Sequence, residues 1–199
     1  MTTRSPSPTL TYEDLLRLPE DRLRHELIDG EHHMSPAPDL RHQSIVLNLA
    51  AILLAFVRAH GLGKVLTAPT DVVFSAHDVV EPDVLFVAAG RADRLRERYV
   101  AGAPDLVVEV LSPASRGMDK IKKRRLYETH GVPEYWIVDP VAATIEVYRM
   151  TTGGHLALQA SLSQAGNATD AGHPGHAGET TLETPLLPGL RISLRQVFE

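Results

Sequence analysis

The segment Leu106-Val107-Val108-Glu109-Val110-Leu111 decides the fold class and also carries the most informative acidic residue of the chain. Its aliphatic, valine-rich composition is typical of a central strand that is covered on both faces. Because side chains alternate along a strand, Glu109 is expected on the same face as Val107 and Leu111. A buried carboxylate is unfavourable unless a metal ion, a cation or hydrogen-bond donors compensate it. The segment therefore predicts a buried glutamate that serves a reaction, with a buried salt bridge to an arginine as the alternative.

The segments around this strand predict an α/β protein in which a mixed β-sheet is flanked by α-helices. A helix is expected from Asp39 to His60, because apolar residues recur at helical spacing and Gly61 follows. The Asp29-Gly30 turn signal within residues 24–34 predicts a hairpin. Further helices are predicted at residues 11–18 and 117–130, and further strands at 64–68, 71–74, 84–87, 134–138, 144–149 and 181–187.

Length and composition indicate one domain. The chain has 199 residues, of which 43% are hydrophobic, and this suffices for a sizeable core. We expect a disordered leader at residues 1–10, a single domain at 11–199 and a mobile loop at 161–178, which is rich in Gly, Ala, His and Ser. The absence of cysteine excludes disulfides and thiolate zinc sites. With neither a secretory signal nor an apolar run of about 20 residues, the sequence predicts a cytoplasmic protein that does not enter membranes.

The charge is unevenly distributed. A net charge of −5 argues against general adhesion to polyanions. Six basic residues nevertheless fall between positions 116 and 125, with only Asp119 opposing them. This cluster is either a solvated helix face or a patch that faces phosphates. In the second case the candidate nucleic-acid-binding residues are Arg116, Lys120, Lys122 and Arg124.

A second acidic residue, Asp83, stands at the entrance of the apolar run 84–87. Glu81 alternates onto the same face. An acid after a proline is often only part of a turn. Paired with Glu109 on a neighbouring strand, however, Asp83 supplies a second hard oxygen ligand, and such a pair suits Mg²⁺ or Mn²⁺.

Lys123 and Glu26 are the remaining candidates for the site. Asp119, Lys123 and Tyr127 follow the spacing i, i+4, i+8, so they are expected near one helix face. An ordinary Asp119–Lys123 surface pair is one interpretation. In the other, Lys123 lies over the metal site, where its charge balances that of the transition state. Glu26 is either a strand-edge charge or an outer ligand of the same site.

Several short motifs are specific as a set, although none identifies a family alone. They are residues 25–31 (HELIDGE), 34–38 (MSPAP) with His42, 81–84 (EPDV), 104–113 (PDLVVEVLSP), Asp119 with Lys123 and Tyr127, 131–139 (GVPEYWIVD) and 187–190 (LPGL). With these motifs the chain resembles the Uma-two family of restriction-endonuclease-like proteins, within the PD-(D/E)XK nuclease superfamily. The resemblance covers about residues 11–150 and the C-terminal end.

The resemblance implies a restriction-endonuclease-like fold with Asp83 and Glu109 as metal ligands and Glu26 as the acidic residue of the N-terminal element. The superfamily places a lysine two residues after the strand glutamate, where this chain has Leu111. Lys123 matches the displaced lysine of the family. Lys120 and Lys122 are its rivals because they lie close by in the sequence.

The sequence thus predicts a metal-dependent DNA endonuclease that uses Mg²⁺ or Mn²⁺. Asp83, Glu109 and the carbonyl of Val110 would hold the metal, and Tyr127 and His42 would support the site or contact phosphate. A homodimer is expected because nucleases of this fold often address two strands with two sites. A catalytically silent module that binds nucleic acid or protein remains the alternative, favoured by Leu111 and the acidic net charge. RNA or branched DNA is a further possible substrate.

Overall fold

The computed structural model describes residues 9–19, 21, 23–112, 118–165 and 180–199, with the backbone alone for residues 118–120. The strands are β1 (Arg24–Ile28), β2 (Glu31–Ser35), β3 (Gly63–Thr67), β4 (Asp71–Val73), β5 (Val79–Val80), β6 (Val84–Ala88), β7 (Tyr99–Ala101), β8 (Leu106–Val110), β9 (Glu134–Asp139), β10 (Thr144–Met150), β11 (Leu156–Ser163), β12 (Thr181–Leu182) and β13 (Ile192–Ser193). The helices are α1 (Tyr12–Leu15), α2 (Leu40–His60), α3 (Arg124–Thr129) and α4 (Leu194–Phe198), with a 3₁₀ segment at Ala89–Arg94 and a π-helical turn at Met118–Lys123.

The central sheet has six strands in the order β11-β10-β9-β8-β6-β3. Strands β8 and β9 run parallel, whereas the other neighbours in this sheet are antiparallel. A second sheet has the order β2-β1-β5-β4-β7, and β12 pairs with β13. The prediction of a mixed sheet flanked by helices is therefore confirmed.

Strand β8 is buried on both faces, as its composition predicts. Val108 and Val110 face a core that includes α2. Val107 and Leu111 belong to a second core that also contains Tyr127 of α3. Glu109 alternates onto this second side, so the strand presents an apolar face to α2 and a glutamate to α3.

Helix α2 is capped at both ends. The Asp39 side chain accepts a hydrogen bond from the backbone N–H of His42 (2.8 Å), and Gly61 adopts φ 62° at the C-terminal end. Among the described residues α2 is the one helix long and apolar enough to cross a membrane. Its buried face packs on the central sheet instead, as in a core helix. Asn48 also donates a hydrogen bond to the carbonyl of Val197, 149 positions away (3.2 Å).

The predicted hairpin turn and the predicted capping box are both present in the structure. Asp29 and Gly30 have φ values of 53° and 73° and join β1 to β2, which confirms the hairpin. The capping box of Thr11 and Asp14 is present, although α1 ends at Leu15 rather than near residue 18.

The predicted mobile loop at 161–178 is wrong at its start. Strand β11 continues to Ser163 because its backbone pairs with β10, and its residues there need no periodic pattern of their own. The strand predicted at 181–187 is reduced to the two residues of β12. Strands β5 and β7 are too short, at two and three residues, for a periodic signal. Residues 166–179 and the leader at 1–8 lie outside the described residues.

Candidate active site

Asp83 is a buried carboxylate that the protein holds by both oxygens. It precedes β6, and only 2% of its surface is exposed. Its Oδ1 accepts from the guanidinium of Arg24 (2.9 Å), and its Oδ2 accepts from the backbone N–H of Val110 (2.8 Å) and lies 3.1 Å from His42 Nε2. Burial alone would raise the pKa of Asp83, but the hydrogen bond from His42 and the charge of Arg24 outweigh it and lower the pKa to about 2. Asp83 is therefore ionised at neutral pH.

Glu109 is held from the opposite side, by α3 and the π-helical turn before it. It is 1% exposed, and its Oε1 accepts from Lys123 Nζ (3.0 Å) and from the hydroxyl of Tyr127 (2.6 Å). Burial, and then the charge of Glu109, raise the pKa of Tyr127 well above its ordinary value. The phenol thus stays a hydrogen-bond donor to the carboxylate at every physiological pH.

Lys123 connects Glu109 to the second sheet. Its side chain is 3% exposed, and Nζ lies 2.9 Å from Glu26 Oε1 and 3.0 Å from Glu109 Oε1. The same oxygen of Glu26 accepts from the backbone N–H of Glu81 (2.9 Å). The predicted lysine therefore lies between two of the predicted carboxylates. An Asp119–Lys123 pair lies outside what the structure describes, because the side chain of Asp119 is not described.

The structure brings most of the predicted site together. A hydrogen bond connects His42 with Asp83. Lys123 forms ion pairs with Glu26 and Glu109. Tyr127 joins this group through its hydrogen bond to Glu109. Val110 takes part through its N–H, which donates to Asp83, whereas the prediction concerned its carbonyl.

Two of the predicted phosphate-contacting cations contact other side chains. The exposed Lys122 pairs with Glu31 (2.9 Å), and the guanidinium of Arg124 lies 5.3 Å from the ring centre of Tyr148. Arg116 and the side chain of Lys120 lie outside the described residues.

Arg24 is a member of the site that the sequence reasoning missed. Its guanidinium binds Asp83 and lies 4.0 Å from Glu81 Oε2. The available signal was alternation, because Arg24 and Glu26 are two residues apart on β1 and therefore share a face.

The charges of the cluster are not balanced among the described side chains. Glu26, Glu81, Asp83 and Glu109 supply four carboxylates, and Arg24 and Lys123 supply two permanent cations. Burial, followed by the nearby charge of Asp71, raises the pKa of Glu81 to about 7. Burial is the main cause of this shift, and the charges of neighbouring acids add to it.

The cluster fits a divalent cation in its chemistry. Carboxylate oxygens are the ligands that Mg²⁺ and Mn²⁺ prefer, and the excess negative charge favours a dication. No group of three or more His, Asp or Glu side chains is arranged to hold a metal within the described part of the chain. The fit of a divalent cation to this cluster therefore rests on the type of donor atom and on charge. Cationic side chains of the protein already contact oxygens of all three predicted acids.

The fold and this buried cluster of acids and a lysine define a nuclease-like α/β protein. A family model described as "Putative restriction endonuclease", Uma2, matches residues 12–195. The chain belongs to this family, and the resemblance predicted from the motifs is confirmed.

Two relatives show how far the likeness extends. An uncharacterized protein of Synechocystis sp. is 26% identical over 155 residues, which cover 75% of this chain and 79% of that protein. A crystal structure titled as that of a "putative nuclease" from Anabaena variabilis superposes with a TM-score of 0.74 and 21% identity, over 95% of this chain and 97% of the other. At this identity the superposition shows a shared fold, which confirms the predicted fold class.

Proposed function

We propose that the protein is a divalent-metal-dependent endonuclease that hydrolyses DNA phosphodiester bonds at the site of Asp83, Glu109 and Lys123. The family description supports a nuclease in general. The observation that carries the finer proposal is the buried Lys123, whose ammonium lies within 3.0 Å of both Glu26 and Glu109. Burying these charges together is costly for a fold, so their convergence favours a chemical role.

Asp83 and Glu109 are the residues that would hold Mg²⁺ or Mn²⁺. When bound, such an ion supplies Lewis-acid stabilisation of the negative charge on phosphate. Arg24, His42 and the N–H of Val110 keep Asp83 ionised and fixed in position. Tyr127 fixes Glu109 in position by donating its hydroxyl hydrogen bond.

Lys123 is the group proposed to act on the phosphate. Its ammonium can donate to a phosphate oxygen and balance the charge that develops there in the transition state. Glu26 positions this ammonium through its 2.9 Å ion pair. Because Leu111 occupies the position two residues after Glu109, Lys123 is the lysine that the proposed reaction uses.

A silent nucleic-acid- or protein-binding module is the second candidate. It is favoured by the fact that Arg24, His42 and Lys123 already occupy oxygens of the acidic side chains. A metal ion or substrate would have to compete with these contacts. In the silent module, the same ion pairs would serve the fold alone.

The decisive experiment is cleavage of supercoiled plasmid and of single-stranded DNA with Mg²⁺ or Mn²⁺. We expect metal-dependent nicking that falls on the order of 10²-fold or more in Asp83→Asn and Lys123→Met. Lys122→Met is the matched control, because Lys122 is the adjacent lysine but is exposed and pairs with Glu31. Nicking that survives Asp83→Asn, or is lost equally in Lys122→Met, would contradict the assignment.

Titration calorimetry with Mn²⁺ separates the two candidates where no DNA is cut. Heat that disappears in Asp83→Asn and Glu109→Gln would retain the metal site and redirect the search to another phosphodiester. Neither cleavage nor Mn²⁺ binding would favour the silent module. Light scattering on the same samples tests the proposed homodimer.

A further inference from the structure

A groove with a volume of 310 Å³ runs beside β3, the edge strand of the central sheet. Leu66, Leu95 and Val100 provide its apolar part. Its charged side chains are the exposed Lys64, Arg96 and Arg98, opposed by Glu97 alone, and we refer to this surface as the edge groove. A net positive groove is notable on a chain whose formal charge is −5.

The cations of the edge groove are available for a ligand. Within the described part of the chain, Lys64, Arg96 and Arg98 form no salt bridge, although the charge of Arg98 acts on the nearby carboxylate of Asp71. Lys122, in the π-helical turn, pairs with Glu31. Unpaired surface cations can exchange their counterions for phosphates, which is the main source of affinity for nucleic acids.

Two of these cations are displayed on a closed turn. Leu95 and Val100 form a β-bridge, and the backbone N–H of Arg96 donates to the carbonyl of Tyr99 (2.9 Å). The turn at residues 96–99 therefore presents Arg96 and Arg98 from a hydrogen-bonded frame. Such preorganisation lowers the entropy lost on binding.

The edge groove and the candidate active site share one face of the central sheet. In the β3–β6 pairing, Lys64 lies opposite Val87 and Leu66 opposite Leu85. Two residues further along, the N–H of Ala68 donates to the carbonyl of Asp83 (3.3 Å). By strand alternation Lys64, Leu66 and Asp83 thus belong to one face of the sheet.

The separation suits a nucleic-acid strand. From Val87 to Asp83 is a distance of about 13 Å at ~3.3 Å per residue. One strand of a duplex advances ~3.4 Å per nucleotide along the helix axis and winds around it, so this distance corresponds to no more than a few nucleotides.

We propose that the edge groove binds the phosphodiester backbone of the nucleic-acid strand within a few nucleotides of the bond at Asp83. This inference rests on the proposed function for its substrate class. It assigns backbone binding to Lys64, Arg96 and Arg98 rather than to the basic cluster between positions 116 and 125. The apolar side chains of the groove accommodate sugar and base surfaces, and its cations hold the phosphates.

The test compares two variants with the same change of charge. The groove variant carries Lys64→Gln, Arg96→Gln and Arg98→Gln; the control variant carries Arg58→Gln, Arg191→Gln and Arg195→Gln, all at exposed positions. Binding of fluorescein-labelled single-stranded and duplex DNA of one sequence is followed by anisotropy in EDTA over a series of KCl concentrations. Thermal melting of both variants verifies that they fold.

We expect the groove variant to lose on the order of 10- to 100-fold in affinity at low salt. The negative slope of log K, where K is the association constant, against log[KCl] should become shallower by about 0.7–0.9 for each cation removed. The control variant should keep the wild-type slope. An unchanged slope in the groove variant, or equal losses in both variants, would overturn the proposal.

Further measurements on the same proteins separate the edge-groove proposal from the nuclease proposal. The edge-groove proposal would also be overturned if the wild-type protein bound neither DNA probe. The same holds if it bound polyglutamate through the groove as tightly as DNA. Plasmid cleavage is measured on the same preparations. Groove-dependent binding without cleavage would contradict the nuclease and leave the edge groove assigned, whereas cleavage with groove-independent binding would contradict the edge groove alone.

Discussion

The two faces of β8 are equally buried, but only one of them carries a charged side chain. Val108 and Val110 face α2 across an apolar core. Glu109, on the other face, meets Lys123 and Tyr127. One strand thus separates a wholly apolar surface from a surface that holds the buried acid of the proposed site.

The difference shows that burial alone does not indicate stability. Removing aliphatic side chains from water stabilises the protein by roughly 25 cal/mol per Å². Removing carboxylates and an ammonium from water is unfavourable unless their mutual contacts compensate. The charged face is therefore the more sensitive of the two to losing a single partner.

The largest loss of stability is expected for Lys123→Ala. This change leaves Glu26 and Glu109 buried without their shared cation, so the free energy of unfolding should fall by about 3–5 kcal/mol. Urea denaturation in EDTA measures it.

The matched control removes the charges together. Lys123→Met combined with Glu26→Gln and Glu109→Gln should recover most of the loss, because no buried charge of the trio remains. A triple variant that is no more stable than Lys123→Ala would show that packing rather than charge explains the loss.

On the apolar face, Leu49→Ala should cost about 3 kcal/mol. Leu49 is fully buried in the core under α2, and its truncation leaves a cavity. Leu47 lies on the same helix but is 68% exposed, so Leu47→Ala should change stability by less than about 0.5 kcal/mol. Equal effects of the two changes in urea denaturation would contradict the assignment of α2 as a core helix.

The smallest effect is a gain of stability in Glu81→Gln. Because burial raises the pKa of Glu81 to about 7, its contribution to stability is present at pH 4 and is lost as the pH rises through 7. Glutamine removes this loss, so the free energy of unfolding of the variant should exceed that of the wild type at pH 8. The expected gain is about 1 kcal/mol, because solvent screens the partly exposed carboxylate. At pH 4 the stability should be unchanged.

Unfolding at both pH values in EDTA checks this expectation, with Glu97→Gln as the exposed control. A gain of equal size at pH 4 would show that the ionisation of Glu81 is not its cause.

The sequence predicted the elements of the site better than its contacts. Alternation within residues 106–111 gave the correct face for Glu109, because a central strand imposes its period on every side chain. Glu26 and Lys123 could be named as candidates, but their ion pair depends on how the second sheet packs against α3, which no local pattern encodes. Arg24 was missed for the same reason, since its partner Asp83 lies 59 positions away.

Short strands and irregular segments were the least predictable parts. Strands β5 and β7 contain residues that favour strands, but at two and three residues they are too short to show a period, and they depend on hydrogen-bond partners in the second sheet. The turn at residues 96–99 likewise contains no apolar pattern, and it is closed by backbone contacts. Features of this kind arise from tertiary context.

The hydrogen bond between Asn48 and Val197 has a consequence for how quickly the chain folds. It joins α2 to α4 across 149 positions, and the core beneath α2 includes Leu182, Ile192 and Leu194. Closing the long loop between distant residues costs chain entropy before any packing energy is gained. Proteins dominated by such contacts therefore fold in milliseconds to seconds. We therefore expect completion of this core to be a late step, which leaves the part of α2 that meets α4 exposed to other chains until then.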